Sequence, residues 1–511
     1  MMAWQHIHQL FDARAAEAPA EPFLYAPEET VTLGQLSERV ALLEAELRAH
    51  GVRQGDRVLI VAENCPAHVA LLLACSRVGA WSCGVNARMS AGEVAAFEAK
   101  AEPRLTYYTS TVSDAAAAHA RAAGARPSAL AGLAHGPVHA TARAETGPLA
   151  HTVAAVIFTS GTTGAPKGVL VSHAGLLQFA KVSSASRGLG PQDRSYAFLP
   201  MTHIFGLGTV LMASLHARAG LVMRSRFDPA DVFDALAHHS VTQLQGPPMF
   251  FQRLLAWLEQ QGQQRPPALT LRYLYTGAAP LTLALKQAVE SRFGQPLHHG
   301  YGLSEYAGAL CVVPLGQARN DTAAGHLLEG AELRIVGPDG ADLPCGQTGE
   351  IWMRGVGLMP GYFRDDEATA QVMRPGGWYA SGDLGVVGTD GALTVVGRLK
   401  EMIIRSGFNV YPGEVEAALA ACPGVGRSAV VGHATADGNE EVIAFVEMAS
   451  GQALDAPALQ AIQAELAQRL APYKRPSHVV GVSDMPMTLS GKLLKREMLA
   501  QWLAQAQPAS H

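Results

Sequence analysis

Cysteine is scarce in this sequence: six cysteines occur among 511 residues, and no two of them form a CxxC pair. The spacing therefore indicates neither a cysteine-based zinc site nor a disulfide framework. This usage favours a reducing, cytoplasmic compartment.

Long apolar runs and charge of one sign are also lacking. No stretch of about 18 uninterrupted apolar residues occurs, so no transmembrane segment is expected. The start, MMAWQHIHQLFDARAAEAP, lacks the basic segment and apolar core of a signal peptide. Lys plus Arg (39) nearly balance Asp plus Glu (44), so neither nucleic acid nor an anionic membrane is an expected partner. Monomer and homodimer stay open.

The apolar residues that are present predict an α/β fold. Leu36, Val40, Leu43 and Leu47 have the spacing of an amphipathic helix, and the apolar run 58–62 predicts a buried strand. Continued alternation favours largely parallel strands. Short β-type runs dominate 331–398, and a small mixed unit follows. We therefore expect a large N-terminal domain of layered α/β subdomains plus a β-rich subdomain, over 1–398, and a small α+β C-terminal domain, over 399–511.

A loop rich in Gly, Ser and Thr follows the predicted strand 154–158 and reads TSGTTGAPKG. Glycines let backbone N–H groups approach an anion, hydroxyls add donors, and Lys167 adds a positive charge. Because Gly168 follows Lys167, the loop is not the common GxxxxGK[ST] phosphate loop. The alternative is a flexible linker. The residues predicted to surround the β- and γ-phosphates of ATP are Thr159, Ser160, Gly161, Thr162, Thr163, Gly164 and Lys167.

This loop and five further motifs resemble the adenylate-forming superfamily, which includes acyl-CoA synthetases, coumarate-type ligases and luciferases. The motifs are YGLSE at 301–305, WYASGD at 378–383, GRLKE at 397–401, SGFNVYPGEVE at 406–416 and LSGKLLKRE at 489–497. They follow one another in the family's order and spacing. Ser304 stands where the family more commonly has Thr.

The resemblance implies a two-step reaction that uses ATP and CoA as substrates and Mg2+ as cofactor. A carboxylate attacks the α-phosphate of ATP to give acyl-AMP and pyrophosphate, and the thiol of CoA then displaces AMP. Glu305 is expected to hold Mg2+, and Tyr301 to stack on adenine. Asp383 and Arg398 are expected to contact the ribose. The remaining nucleotide-binding residues implied are Gly277, Ala278, Ala279, Gly302 and Ser304.

The same resemblance implies a mobile C-terminal domain. Lys492 would bridge the acid and the α-phosphate during adenylation, and Lys400 would be the hinge about which this domain turns. Gly407, Phe408 and Asn409 would then enter to form the CoA tunnel. His203 would stand between ATP and the acyl pocket as a gate.

The motifs do not identify the carboxylic acid substrate. The acyl pocket is expected at Phe205, Gly246, Pro247, Gly300, Ala307, Gly308 and Ala309. These small and apolar residues offer no anion for the ammonium of an amino acid. We expect a medium- or long-chain fatty acid, because Gly and Ala at 307–309 leave depth, with an aryl acid as the alternative.

Three other functions are weighed against a CoA ligase. An acyl-AMP ligase that loads a carrier protein is less expected, because no carrier domain follows. A non-catalytic nucleotide or acyl-CoA sensor would not need Lys492, Glu305 and Asp383. A phosphate-loop ATPase would need Ser or Thr after Lys167.

Overall fold

The computed structural model describes residues 4–160, 166–266, 270–405, 408–435, 439–449, 451–487 and 493–506. No helix in these ranges is both long enough and apolar enough to cross a membrane.

The strands are short and occur along the whole chain. In chain order they are β1 Pro22–Tyr25, β2 Thr30–Thr32, β3 Arg57–Ala62, β4 Trp81–Asn86, β5 Leu105–Tyr108, β6 Arg126–Pro127, β7 Ala134–His135, β8 Val153–Ser160, β9 Pro166–Ser172, β10 Arg194–Ala197, β11 Gly220–Met223, β12 Gln243–Gly246, β13 Tyr273–Thr276, β14 Leu297–Leu303, β15 Gly308–Val312, β16 His326–Leu327, β17 Ala331–Val336, β18 Gly349–Gly355, β19 Met373–Arg374, β20 Trp378–Val387, β21 Leu393–Arg398, β22 Ile403–Arg405, β23 Phe408–Val410, β24 Val425–Ala434, β25 Glu440–Met448 and β26 His478–Gly481.

The helices alternate with these strands. They are α1 Ile7–Glu17, α2 Leu33–Ala49, α3 Pro66–Val78, α4 Ala91–Ala101, α5 Asp114–Ala122, α6 Pro148–Thr152, α7 His173–Ser186, α8 Ala213–Ala217, α9 Pro229–His238, α10 Pro248–Gln260, α11 Leu283–Phe293, α12 Asp366–Val372, α13 Pro412–Ala420, α14 Ala456–Arg469 and α15 Lys495–Ala506. A π-helix spans Phe205–Met212.

Two large sheets form the first part of the molecule. One has nine strands in the order β16-β15-β14-β13-β12-β10-β11-β1-β2, and the other has seven in the order β6-β7-β5-β3-β4-β8-β9. Their central strands are parallel, and antiparallel strands lie at their edges. The expected α/β class with largely parallel strands is confirmed.

The main hydrophobic core joins one face of each sheet to the helices α1, α2, α3 and α7 and the π-helix. The apolar positions predicted for α2 are fully buried in this core. Separate clusters cover the opposite face of each sheet. The helices thus form layers with the sheets, as the alternating pattern indicates.

Smaller sheets make up the rest of the chain. Antiparallel strands β17 to β21 form the expected β-rich part. After residue 398 come the hairpin β22–β23 and the sheet β24-β25-β26, which packs with α13, α14 and α15. Helix α14 begins after Asp455, whose side chain accepts a hydrogen bond from the N–H of Ala458, as the start signal predicts. The domain division at residue 398 stays a prediction.

Candidate active site

The predicted nucleotide residues lie where parallel strands end. Strand β13 ends just before Gly277, β14 ends just before Ser304, and β8 leads into the Gly/Ser/Thr loop. Ligands in open α/β sheets bind beyond the carboxyl ends of the strands, because helix N-termini and loops meet there. The fold therefore places these motifs at the carboxyl ends of the strands.

Asp383 is the centre of a buried polar group. The hydroxyl of Tyr301 donates to Asp383 Oδ2 at 2.6 Å, and Arg398 Nε lies 3.0 Å from Asp383 Oδ1. Strands β20 and β21 pair Asp383 directly with Arg398, so the sheet register sets this ion pair. Burial and the Asp383 carboxylate raise the pKa of Tyr301 well above its usual value. The structure thus brings together three residues that lie up to 97 positions apart (398 − 301) in the sequence.

Glu305 and Lys167 both contact one tyrosine, Tyr362. The hydroxyl of Tyr362 donates to Glu305 Oε1 at 3.0 Å. The ammonium of Lys167 lies 4.9 Å from the centroid of the Tyr362 ring, a distance at which a cation is attracted to an aromatic face. A β-bridge between Val169 and Tyr362 holds this segment against β9. The phosphate loop and the YGLSE motif are therefore connected through Tyr362.

The strand predicted before the phosphate loop is present, and the loop connects two antiparallel strands. Thr159 on β8 pairs with Lys167 on β9. A strand follows the loop where the common phosphate loop would have a helix, which agrees with Gly168 after Lys167. Gly161, Thr162, Thr163 and Gly164 lie outside the described residues, as does the side chain of Ser160.

The turn predicted to lie against adenine comes close to the YGLSE strand. A Cβ at Gly277 would be 3.0 Å from the carbonyl oxygen of Gly300. The next residue, Ala278, has a φ of 66°, which is unusual for a residue with a side chain. Glycine at 277 is therefore required for the close approach of the two segments.

His203 stands at the entrance to the π-helix. Its Nδ1 accepts a hydrogen bond from the backbone N–H of Phe205 at 3.2 Å. Asn64 braces the segment before it: the amide Nδ2 donates to the carbonyl of Leu199 at 2.9 Å, and Oδ1 accepts from the N–H of Met201 at 2.9 Å. π-Helices occur frequently at functional sites. The π-helix and the role of Asn64 are not signalled by any motif.

Aromatic side chains fill the space that the small pocket residues leave. Tyr275 lies across Gly300 and meets Phe205 edge to face, with ring centroids 5.8 Å apart. Phe179 occupies the space beside Gly308. Phe179, from a neighbouring helix, therefore forms a wall beside Gly308, and the depth expected at 307–309 stays a prediction.

The Gly246 side of the expected pocket is filled in the same way. A Cβ at Gly246 would be 2.7 Å from the Phe250 ring. Phe250 stacks on Phe198 with a centroid distance of 4.8 Å, and Pro247 precedes α10 as its N-cap.

Several predicted residues belong to the last quarter of the chain. Lys400 lies in a short 3-10 helix, Leu399–Glu401, directly after the Asp383–Arg398 pair. Phe408, on β23, is 54% exposed and stacks on Tyr473 at 4.6 Å; Asn409 follows it. Gly407 and Lys492 lie outside the described residues.

Lys495, at the start of α15, connects that helix to the segment Leu399–Glu401. Its ammonium lies 3.1 Å from Glu401 and 2.8 Å from Glu416. Burial lowers the pKa of Lys495, but the two carboxylates outweigh it and raise that pKa above its usual value. Tyr362 is another site residue that the sequence motifs do not predict. It lies between two motifs, and the one local signal for it is the preceding Pro-Gly turn.

Comparison with known proteins agrees with this geometry. The AMP-binding enzyme family model matches residues 11–363, and the model of the AMP-binding enzyme C-terminal domain matches 414–492. Feruloyl-CoA synthase from an Amycolatopsis species is 34% identical over 469 residues, which are 92% of this chain and 93% of that protein.

Solved structures of two proteins are also similar. ATP-bound MatB from Rhodopseudomonas palustris has a TM-score of 0.84 at 29% identity and covers 98% of this chain and 100% of its own; the apo form of the same protein has a TM-score of 0.74. O-succinylbenzoate CoA synthetase from Bacillus subtilis, in complex with ATP and a magnesium ion, has a TM-score of 0.81 at 26% identity and covers 96% and 99%. The chain therefore belongs to the AMP-binding enzyme family, the adenylate-forming superfamily indicated by its motifs, and the expected acid–thiol ligase activity is confirmed.

Proposed function

We propose that this acid–thiol ligase joins an aromatic carboxylic acid to CoA, with acyl-AMP as the intermediate. Two groups of contacts support this reaction. Asp383 contacts Tyr301 and Arg398. Tyr362 contacts Lys167 and Glu305. These residues supply an acceptor for ribose hydroxyls, a cation for phosphate and a carboxylate near it. A site that binds a nucleoside triphosphate needs these three kinds of group.

In the first half-reaction, the acid's carboxylate oxygen forms a bond to the α-phosphorus of ATP, and pyrophosphate leaves. Asp383, oriented by Tyr301 and Arg398, accepts the ribose hydroxyls and so positions the α-phosphate. Lys167 attracts the outer phosphates. Lys492 bridges the acid and the α-phosphate. Negative charge accumulates in this step, so fixed cations lower its barrier.

Mg2+ fits the same group, because oxygen donors are the ligands it prefers. The Glu305 carboxylate, oriented by the Tyr362 hydroxyl, would hold it together with phosphate oxygens. When bound, the ion supplies charge neutralisation on the phosphates.

In the second half-reaction, the thiol of CoA forms a bond to the acyl carbon, and AMP leaves. The exposed Phe408 on β23 is the part of the predicted CoA tunnel that the structure describes. An exposed aromatic ring of this kind is suited to a bound ligand, because leaving it in water is unfavourable. His203, at the mouth of the π-helix, separates the acid from the nucleotide.

The walls of the acyl pocket support an aromatic substrate. Phe205, Tyr275 and Phe179 lie against the small residues at 300 and 308, so a flat ring bound there would meet aromatic walls. Among the described residues, no hydrogen bond to the Tyr275 hydroxyl is found, so this group is available to a polar ring substituent. The named relatives feruloyl-CoA synthase and o-succinylbenzoate CoA synthetase act on aromatic acids. A medium- or long-chain fatty acid is the second candidate.

A panel of acids tests this proposal. Benzoate, cinnamate, hydroxycinnamates, octanoate and palmitate are compared by acid-dependent release of AMP and by formation of the CoA thioester. We expect the aromatic acids to have kcat/KM at least about tenfold above the fatty acids, since one to two buried methylene-sized misfits cost that much. Palmitate or octanoate as the preferred acid would refute the aromatic assignment but leave the ligase assignment in place.

A further inference from the structure

Four polar side chains converge at one end of the seven-stranded sheet, far from the nucleotide site. Glu46 and His50 lie four positions apart at the end of α2 and so point to one side of the helix. Tyr107 on β5 and His135 on β7 are direct cross-strand partners and share the sheet face that α2 covers. The side-chain ligand atoms of Glu46, His50 and His135 all lie within 4.8 Å of one another.

The orientation of His135 matches that of a metal ligand. Its Nδ1 lies 2.9 Å from the carbonyl oxygen of Gly136, so Nδ1 carries the proton and Nε2 has a free lone pair. Nε2 faces Glu46 Oε1 at 3.9 Å. Metal-binding histidines commonly have their other ring nitrogen fixed by a carbonyl in this way.

Glu46 is held in place by two hydrogen-bond donors. The Ser128 hydroxyl donates to Oε2 at 2.6 Å, and the Ala129 N–H donates to Oε1 at 3.0 Å. The side chain is only 10% exposed, and among the described residues the basic side chain within 4 Å of it is that of His135. A nearly buried carboxylate needs a compensating positive charge.

Tyr107 provides an independent indication. Its residue is fully buried, and its hydroxyl has no hydrogen-bond partner in the part of the chain that the structure describes. The Tyr107 ring lies 5.8 Å from that of His135. An unpaired buried hydroxyl is rare, and Glu46 is the nearby group that acts on it most strongly.

We propose that Glu46, His50 and His135 bind a divalent cation of the Zn2+ class. Two imidazole nitrogens and one carboxylate oxygen are typical ligands for this ion, whereas Mg2+ prefers oxygen alone. A water molecule in the fourth position would pair with the Tyr107 hydroxyl. The site lies four strand spacings from β8, about 19 Å, in the order β7-β5-β3-β4-β8. Its ion would connect α2 to the sheet edge and take no part in adenylation.

The full-length chain, stripped with EDTA and returned to buffer with excess Mg2+, is titrated with Zn2+ in a calorimeter and melted with and without Zn2+. We expect one equivalent to bind and Tm to rise, because a ligand that binds only the folded state stabilises it. Co2+ in place of Zn2+ should give the visible absorption of a tetrahedral site. No rise in Tm with Zn2+ would overturn the proposal.

Variants locate the site. His50→Gln and His135→Gln should each weaken Zn2+ binding more than about tenfold, since even outer partners of a metal are worth 10–100-fold. His139→Gln, at an exposed residue of the same segment, is the matched control and should bind as the parent does. His50 lies at the end of α2 and is partly exposed. We therefore expect His50→Gln to fold even if His135→Gln does not. If His50→Gln and His135→Gln both bind Zn2+ with the parental affinity, the ion binds elsewhere and the proposed site is refuted.

Discussion

At the scale of single residues, Asp383 connects two other predicted site residues. It accepts a hydrogen bond from Tyr301 and pairs with Arg398 across two strands. Its side chain is 9% exposed, whereas that of Arg398 is 56% exposed. Arg398 can therefore return to water when its partner is lost, so we expect the loss of this pair to cost little stability.

Asp383→Asn should raise KM for ATP roughly 10- to 100-fold, because hydrogen bonds to a charged group contribute about 1.5–3 kcal/mol. The measurement is KM for ATP at saturating acid and CoA, with Tm recorded alongside. Asp390→Asn is the control, since Asp390 pairs with Arg319 at the surface of the same sheet region. An unchanged KM for ATP in Asp383→Asn would rule out the ribose contact.

At the scale of elements, the π-helix Phe205–Met212 decides where His203 lies. Its first turn passes so close to the preceding loop that a Cβ at Gly206 would overlap the carbonyl oxygen of Pro200 and lie 2.5 Å from that of Leu199. Backbone atoms cannot move aside as a flexible side chain can. Glycine at 206 is therefore a condition for this geometry.

Gly206→Ala should lower stability by about 1–3 kcal/mol, the usual cost of overpacking, and reduce adenylation because His203 shifts. Thermal melting and acid-dependent pyrophosphate release measure the two effects. Gly92→Ala, in α4 with nothing within 4 Å of the added atom, should melt at or above the parental Tm. Equal melting of the two variants would show that the π-helix tolerates a side chain.

The elements with strong patterns were predictable, and the contacts between motifs were not. The four leucine and valine positions of α2, the strand before the phosphate loop and the cap of α14 follow from local chemistry. Tyr362 and Asn64 act through partners 57 and more than 130 positions away in the chain, so no local pattern predicts these contacts. The contact between Phe179 and Gly308 is of the same kind, since Phe179 comes from another element.

At the scale of the whole molecule, we propose that the chain works by turning its last part about Lys400. The 3-10 helix that contains Lys400 follows the Asp383–Arg398 pair directly, and Glu401 is tied to α15 through Lys495. A hinge of this kind concentrates a large backbone change in a few residues.

The measurement that tests the account most directly is the ratio of acid-dependent ATP–pyrophosphate exchange to thioester formation in Lys400→Pro. Proline fixes φ near −65°, so the variant should keep exchange without CoA but lose most thioester formation. Lys400→Ala, which removes the side chain without fixing the backbone, should keep both, and unchanged melting excludes local unfolding. Thioester formation at the parental rate in a well-folded Lys400→Pro variant would contradict the two-state account.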